Sequence, residues 1–195
     1  NCHVPCIKML YKFFDLNVVL PPLIEKGIDC IEFHTLGENE IEVEDKWNDI
    51  NTVFDGILSI CIDRAKLGNE KLIKRLNRLI KNRKDFSTII QADGCPMSGD
   101  ADDYKTTLQP DATAEIDQNE NLSVYIMLSG GTNAKTTDLA KMCGINFHGI
   151  AIGTYARKIV EKYISREDFL TNQAVFNDAL EIAKNLITKS MEFMG

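Results

Sequence analysis

Three apolar runs that each end abruptly in glycine and small polar residues constrain the fold of this chain most. They span residues 87–100, 124–133 and 147–157. The run at residues 124–128 is too short for a helix and rich in β-branched and aromatic residues, which is typical of a strand buried on both faces of a parallel sheet. Ligands of such sheets bind beyond the carboxyl ends of the strands. The three runs therefore predict three loops that converge on one pocket.

Helix and strand patterns alternate along the chain, and this alternation predicts the fold class. Strands are expected at residues 29–35, 56–63, 88–92, 124–128 and 149–152, and helices at 16–26, 45–54, 71–84, 110–117, 138–142, 155–163 and 166–193. Strict alternation is typical of right-handed βαβ units and a parallel sheet. A complete eight-stranded barrel usually takes about 250 residues. The 195-residue chain is therefore expected to form an α/β fold of about five parallel strands, either a partial, TIM-barrel-like sheet or an open doubly wound sheet.

The same patterns divide the chain into three parts. Residues 1–15 are an N-terminal segment, residues 16–165 an α/β ligand-binding domain, and residues 166–195 a C-terminal packing helix. The chain opens with Asn-Cys-His-Val-Pro-Cys and has no initial Met. Such an opening is expected of a fragment of a longer polypeptide.

Composition excludes some classes of function. The formal net charge of -7 and the pI near 5.0 argue against binding to nucleic acid, because phosphate backbones attract clustered Lys and Arg. The one basic run, residues 71–84, predicts an amphipathic helix with a solvated basic face. No apolar stretch is long enough for a membrane span. The six cysteines form no C-x-x-C pair, and three lie in apolar segments, which predicts reduced, buried thiols in a reducing compartment.

Two glycine-containing loops predict an anion site. Backbone N–H groups in the run Gly130, Gly131, Thr132 and Asn133 can face a ligand, because glycine permits close approach. Gly153 precedes a predicted helix that carries Arg157 in its first turn, and barrel enzymes commonly bind phosphate at such a place. The alternative is that both loops are only the tight turns that strand-to-helix connections need. Ser98 lies in the remaining loop and completes the predicted set of ligand-binding residues.

Four ionisable residues near predicted strand ends are candidate catalytic groups. Glu32 and His34 are two residues apart, so they project from the same face of their strand and can form an acid–base pair. In the simpler alternative, His34 only bonds a backbone group at the sheet edge. Asp93 and Asp100 flank one loop, where they can hold a cation or simply cap the loop and the next helix.

At these residues the chain resembles the C-terminal domain of the LdpA family, the light-dependent period modulator of cyanobacteria and its plastid relatives. The resemblance covers about residues 19–160. It rests on Glu-Phe-His-Thr at residues 32–35, Pro-Met-Ser-Gly-Asp at 96–100, Gly-Gly-Thr-Asn at 130–133 and Tyr-Ala-Arg at 155–157. The second of these motifs followed by the third is far more specific than either glycine motif alone.

The resemblance implies a role in redox signalling. Members of the family are iron–sulfur proteins in which ferredoxin-like motifs precede this domain, and they are implicated in passing the cellular redox state to the circadian clock. An iron–sulfur cluster is therefore implied for the full-length protein, with Cys2 as its last ligand if a cluster motif lies upstream. Redox or clock proteins are the implied partners, and the cytoplasm or the plastid stroma is the implied compartment.

We expect this domain to bind a small anionic ligand or a partner within a redox-sensing iron–sulfur protein. One alternative is a barrel-type enzyme acting on a phosphorylated or carboxylated small molecule, in which Asp93, Glu32 or His34 moves protons. A second alternative is an interaction module whose glycine loops are only turns.

Overall fold

The computed structural model describes residues 15–35, 39–63, 67–94 and 122–192. Helices and strands follow one another in the predicted order, and the helix predicted at residues 110–117, between the third and fourth strands, lies outside the described residues. The elements in chain order are α1 (Leu16–Ile24), β1 (Cys30–His34), α2 (Glu40–Val53), β2 (Ile57–Asp63), α3 (Asn69–Ile80), β3 (Thr88–Asp93), β4 (Tyr125–Ser129), α4 (Thr136–Met142), β5 (Gly149–Ile150), α5 (Thr154–Ile164) and α6 (Gln173–Met191).

The five strands form one parallel sheet in the order β1-β2-β3-β4-β5. Spatial order thus equals chain order for all described strands. A doubly wound sheet would instead reverse its order at a switch point. Of the two arrangements that the sequence leaves open, the observed order matches that of consecutive strands in a barrel.

The hydrophobic core lies between one face of the sheet and the helices. Alternate residues of the three central strands point into it, because successive side chains of a strand face opposite sides. These strand residues are Leu58, Ile60, Ile62, Ile90, Ala92, Ile126 and Leu128. The helices contribute Trp47, Leu72 and Leu76, each fully buried. The opposite side chains of the same strands, including Ser59, Gln91, Asp93 and Ser129, therefore face away from the helices.

Helix α2 begins five residues before its predicted start at residue 45. Its first residue is Glu40, because the side chain of Asn39 accepts hydrogen bonds from the backbone N–H groups of Ile41 and Glu42 at 3.1 and 3.3 Å. This is the usual way in which Asn satisfies the first amides of a helix. Trp47 in the same helix donates a hydrogen bond from its indole N–H to the carbonyl of Leu79 at 2.8 Å, which ties α2 to α3.

The basic helix α3 differs from its prediction at one residue. Leu72, Leu76 and Leu79 are buried as the amphipathic pattern predicts, but Arg75 is also buried, with only 2% of its surface exposed. Its guanidinium lies 2.6 Å from a carboxylate oxygen of Glu40 in α2. The basic face is therefore not uniformly solvated, since an acidic residue on the neighbouring helix allows one of its arginines to be buried.

The side chain of Arg83 forms hydrogen bonds with α2 and with the residues just before β2 and β3. Its guanidinium donates to the side chain of Asn51 at 2.7 Å, the carbonyl of Gly56 at 2.7 Å and the carbonyl of Ser87 at 2.5 Å. Burial lowers the pKa of Arg83, which is nevertheless protonated at any physiological pH. These three bonds fix the starts of two central strands relative to one helix.

The C-terminal helix α6 packs on α5 and on α4. It starts later than the sequence pattern predicts: Asn172 caps it by accepting a hydrogen bond from the N–H of Val175 at 3.4 Å. Residues 166–171 form turns instead, closed by backbone hydrogen bonds from Phe169 to Arg166 at 3.1 Å and from Thr171 to Asp168 at 3.0 Å, with an exposed ion pair between Arg166 and Asp168. Lys189 near the end of α6 lies 2.8 Å from Asp138 of α4. None of the helices in the described ranges has the length and apolarity that crossing a membrane requires.

Candidate functional site

The loop after β4 is shaped by two glycines in the left-handed region. Gly130 has a φ of 65° and Gly131 a φ of 77°, angles that other residues adopt only at a cost. Gly130 is also crowded: an ideal Cβ on it would lie 2.0 Å from Oδ1 of Asp93 and 2.7 Å from the backbone nitrogen of Gly94. Any side chain at Gly130 would therefore displace the end of β3.

The next two residues of this loop are buried and hold its shape. The hydroxyl of Thr132 donates to the carbonyl of Ala151, just after β5. The side-chain oxygen of Asn133 accepts from the N–H of Lys135 at 2.8 Å, and its backbone N–H donates to the hydroxyl of Thr136 at 2.9 Å. These bonds join the ends of β4 and β5 and start α4. A direct contact of Thr132 or Asn133 with a ligand stays a prediction.

The loop after β5 leads directly into α5. Gly153 occupies the residue before the helix, and no side chain caps the first turn. The first amides of any helix lack partners within the helix. The exposed guanidinium of Arg157 lies back against this turn, with Nη2 at 3.3 Å from the hydroxyl of Thr154. One positively charged side chain therefore stands at the positive end of the helix dipole.

The two loops enclose a cavity of about 270 Å³ at the carboxyl ends of β4 and β5. Its lining residues are Ser129, Gly130, Gly131, Thr132, Ala151, Gly153, Thr154 and Tyr155. Four of the residues that the sequence predicts to bind a ligand, Gly130, Gly131, Thr132 and Gly153, thus line one cavity. Arg157 stands beside it, since its Nη1 would lie 3.9 Å from an ideal Cβ on Gly153.

Four lining residues were not among the predicted site residues. Ser129 is the last residue of β4, and Thr154 and Tyr155 are the first two of α5. The sequence could have indicated these three residues, because in a βα unit the last residue of the strand and the first residues of the helix border the same edge of the sheet. Ala151 contributes its backbone to the loop, and nothing in its side chain distinguishes it.

Asp93 does not line the cavity itself but contacts Ser129, which does. It is the last residue of β3 and pairs in register with Ser129 of β4. The hydroxyl of Ser129 donates to Oδ1 of Asp93 at 3.3 Å. Ser98, Asp100 and Cys2, which the sequence also predicts as site residues, lie outside the described residues.

Glu32 and His34 are neighbours, as their spacing in the strand predicts, and neither lines the cavity. Nδ1 of His34 lies 3.7 Å from a carboxylate oxygen of Glu32, and both side chains are more than half exposed. Three strand spacings separate β1 from β4, which is about 14 Å. A shared site of His34 with the glycine loops stays a prediction.

The cysteines are less buried than the sequence predicts. Of the three in the described ranges, Cys61 is buried, whereas Cys30 and Cys143 are exposed, and none forms a disulfide. Although Cys30 is exposed as a residue, partial desolvation of its thiol and, secondly, the charge of Glu32 raise the pKa of that thiol. The three thiols lie on β1, on β2 and after α4, so they do not form a ligand set for a cluster. Within the described residues there is no group of three or more His, Cys, Asp or Glu side chains able to hold a metal ion.

A second cavity, of about 280 Å³, lies between β5, α5 and the end of α6. Its lining is aliphatic apart from Ser190, whose hydroxyl donates to the carbonyl of Leu186 within its own helix. This cavity therefore offers no polar group comparable to the glycine loops.

Comparison with known proteins places this chain in a family. The model of the family described as "Light dependent period A C-terminal domain" matches residues 22–192. A protein of Synechococcus elongatus named "Light dependent period A" is 27% identical over 189 residues, a match that covers 93% of this chain and 53% of that relative. The chain thus spans about half the length of the curated relative it matches. No solved structure matches the chain. Since the family model spans both glycine loops and every described strand and helix apart from the start of α1, the chain belongs to the family of the light dependent period A C-terminal domain.

Proposed function

We propose that this domain binds a small anionic ligand in the cavity between the β4–α4 and β5–α5 loops. The observation that carries the proposal is that the backbone of Gly130–Thr132 and the N-terminus of α5 border one cavity of about 270 Å³. Helix N-termini attract anions through their amides and their dipole. Consecutive parallel strands of a barrel commonly bind phosphate between two such loops.

Arg157 supplies a positively charged side chain beside this cavity, at its α5 end. Its guanidinium rests on Thr154, which itself lines the cavity. A short rotation of this exposed side chain would bring it to a bound anion. The guanidinium fork suits the oxygens of phosphate and carboxylate.

Thermal denaturation in the presence of ligands tests the proposal. Inorganic phosphate, sulfate, citrate, sugar phosphates and nucleotides are compared on the wild-type chain and on Arg157→Ala. A ligand at a hundred times its Kd should stabilise the wild type by about 2.7 kcal/mol. The Arg157→Ala variant should bind it about 1.5–3 kcal/mol more weakly, the value of a hydrogen bond to a charged group.

Lys158→Ala is the matched control, since it removes one positive charge from the next residue of the same helix without touching the cavity lining. Its ligand-induced shift should equal that of the wild type. If both variants lose the ligand-induced stabilisation equally, the effect comes from the overall positive charge of the helix and not from a site at Arg157. If no anion raises the melting temperature of the wild type, the domain is an interaction module whose glycine loops are only turns.

Membership of the family supports a wider proposal about the longer protein. There the domain would act as the ligand-responsive half of an iron–sulfur redox sensor, with redox or clock proteins as its partners. Because Cys30, Cys61 and Cys143 lie on separate elements, a cluster would need cysteines from outside the described residues. The test is whether the coding sequence upstream encodes clustered cysteines and whether the longer protein shows cluster absorbance; a longer protein lacking both would contradict it.

A further inference from the structure

We propose that the ligand of the cavity carries a hydroxyl group in addition to its anionic group, and that Asp93 and Ser129 bind this hydroxyl. The class of ligand is then a small hydroxylated phosphate ester, such as a triose or pentose phosphate, rather than inorganic phosphate. This inference rests on the proposed function and adds the chemistry of the opposite end of the same cavity.

The first observation is that a carboxylate is held at the β3 side of the cavity. Ser129 lines the cavity, is only 6% exposed and donates its hydroxyl to Oδ1 of Asp93 at 3.3 Å. Gly130 leaves the space that this carboxylate occupies, since a Cβ there would lie 2.0 Å from the same oxygen. Glycine at position 130 thus leaves room for an acidic side chain beside a cavity whose other end favours anions.

The second observation is the polarity of the two ends. A carboxylate accepts hydrogen bonds and repels phosphate, so the anion belongs at the α5 end, beside Arg157. Two strand spacings separate β3 from β5, which is about 10 Å. A hydroxyl attached to the anion by a short carbon chain can span this distance and form a charge-assisted hydrogen bond with Asp93. The cavity volume of about 270 Å³ is just below the roughly 300–1,000 Å³ of typical ligand pockets, which suits such a ligand better than a dinucleotide.

Calorimetric titration with a matched pair of ligands tests the inference. Glycerol 3-phosphate and propyl phosphate have the same chain length and the same phosphate, and only the first carries hydroxyl groups. The wild-type chain should prefer glycerol 3-phosphate by about 10- to 150-fold. Asp93→Asn should lose most of this preference, and its affinity for propyl phosphate should stay equal or rise, because a repelling charge is gone.

Ser129→Ala provides a second variant in case Asp93→Asn does not fold. It removes the hydroxyl that orients the carboxylate and should reduce the preference without a change in charge. Equal wild-type affinity for the two ligands, or an unchanged preference in both variants, would overturn the inference while leaving the anion site intact. If neither ligand binds and Arg157→Ala makes no difference, the proposed function fails, and this inference fails with it.

Discussion

Two separate features of the structure require glycine at position 130. Its φ of 65° lies in the left-handed region, and a Cβ on it would overlap Asp93 and the backbone of Gly94. The first reason is a property of the residue's own backbone, whereas the second comes from a neighbouring strand. A substitution at this position therefore reports on both.

We expect Gly130→Ala to destabilise the protein more than a left-handed backbone alone explains. Backbone strain should cost about 1–2 kcal/mol, and overlap with the end of β3 should add about 1–3 kcal/mol. Chemical denaturation of the wild type and the variant measures the difference in free energy of unfolding.

Gly144→Ala is the control for the backbone term. Gly144 has a φ of 70°, but a Cβ there would meet nothing within 4 Å. The Gly144→Ala variant should therefore lose only the cost of the left-handed backbone, about 1–2 kcal/mol of its free energy of unfolding. Similar losses in the two variants would show that the close approach of Asp93 to Gly130 does not constrain the loop.

For single residues, the sequence predicts which side chains are neighbours within a strand, but it does not predict the distance between residues on different strands. The spacing of Glu32 and His34 predicts that their side chains are neighbours, and the distance of 3.7 Å confirms it. The sequence does not show how many strands separate them from the glycine loops, because lateral order depends on strand pairing rather than on spacing in the chain. Spacing along the chain therefore does not show that β1 and β4 lie three strand spacings apart, which is about 14 Å.

Single elements are positioned by a few polar side chains whose effect the hydrophobic pattern does not reveal. Asn39 starts α2 five residues earlier than the pattern predicts, and Asn172 starts α6 later. Glu40 allows Arg75 to be buried on α3. The apolar positions of all three helices were predictable, whereas their ends and the buried charge depend on partners that are distant in sequence.

Arg83 is the clearest case of one side chain that positions several elements. We expect Arg83→Met to lower the free energy of unfolding by at least about 1.5–3 kcal/mol, because the carbonyls of Gly56 and Ser87 and the amide of Asn51 lose a charged donor. Arg166→Met is the matched control, since Arg166 is exposed and contacts Asp168 only two residues away. Such a surface substitution usually changes stability by less than about 0.5 kcal/mol. Equal effects of the two substitutions on urea denaturation would contradict the role of Arg83.

For the molecule as a whole, alternation in the sequence predicts the fold class but not the order of the strands. All five predicted strands are present, since each buried run carries its own signal. The choice between a barrel-like and a doubly wound sheet depends on which crossovers place strands side by side. Both arrangements bury the same apolar residues, so composition and periodicity do not separate them.

The ion pair between Lys189 of α6 and Asp138 of α4 predicts that the stability of the protein falls at alkaline pH. The hydrogen bond to Asp138 raises the pKa of Lys189. The stability that this pair provides, at most about 1 kcal/mol for an exposed pair, is fully present below the ordinary lysine pKa of about 10.4. It is lost as the pH rises through the higher pKa of the folded protein.

Melting temperatures of the wild type and Lys189→Met should therefore differ at about pH 8 and converge toward about pH 12. Asp138→Asn removes the partner instead and should converge with the wild type in the same way, and the double variant should lose little more than either single one. A gap that stays constant across this range would show that the pair does not hold α6.

The sequential order of the five strands also shapes how the molecule reaches its native state. Each described strand pairs only with strands that are adjacent to it along the chain, so every pairing closes a loop of a single crossover. Loop closure of this kind costs little entropy compared with joining distant segments. Assembly can begin at any adjacent pair and spread outward one unit at a time, as in repeat proteins. Loss of a terminal strand then removes one pairing, whereas loss of β3 would divide the sheet into two separate halves.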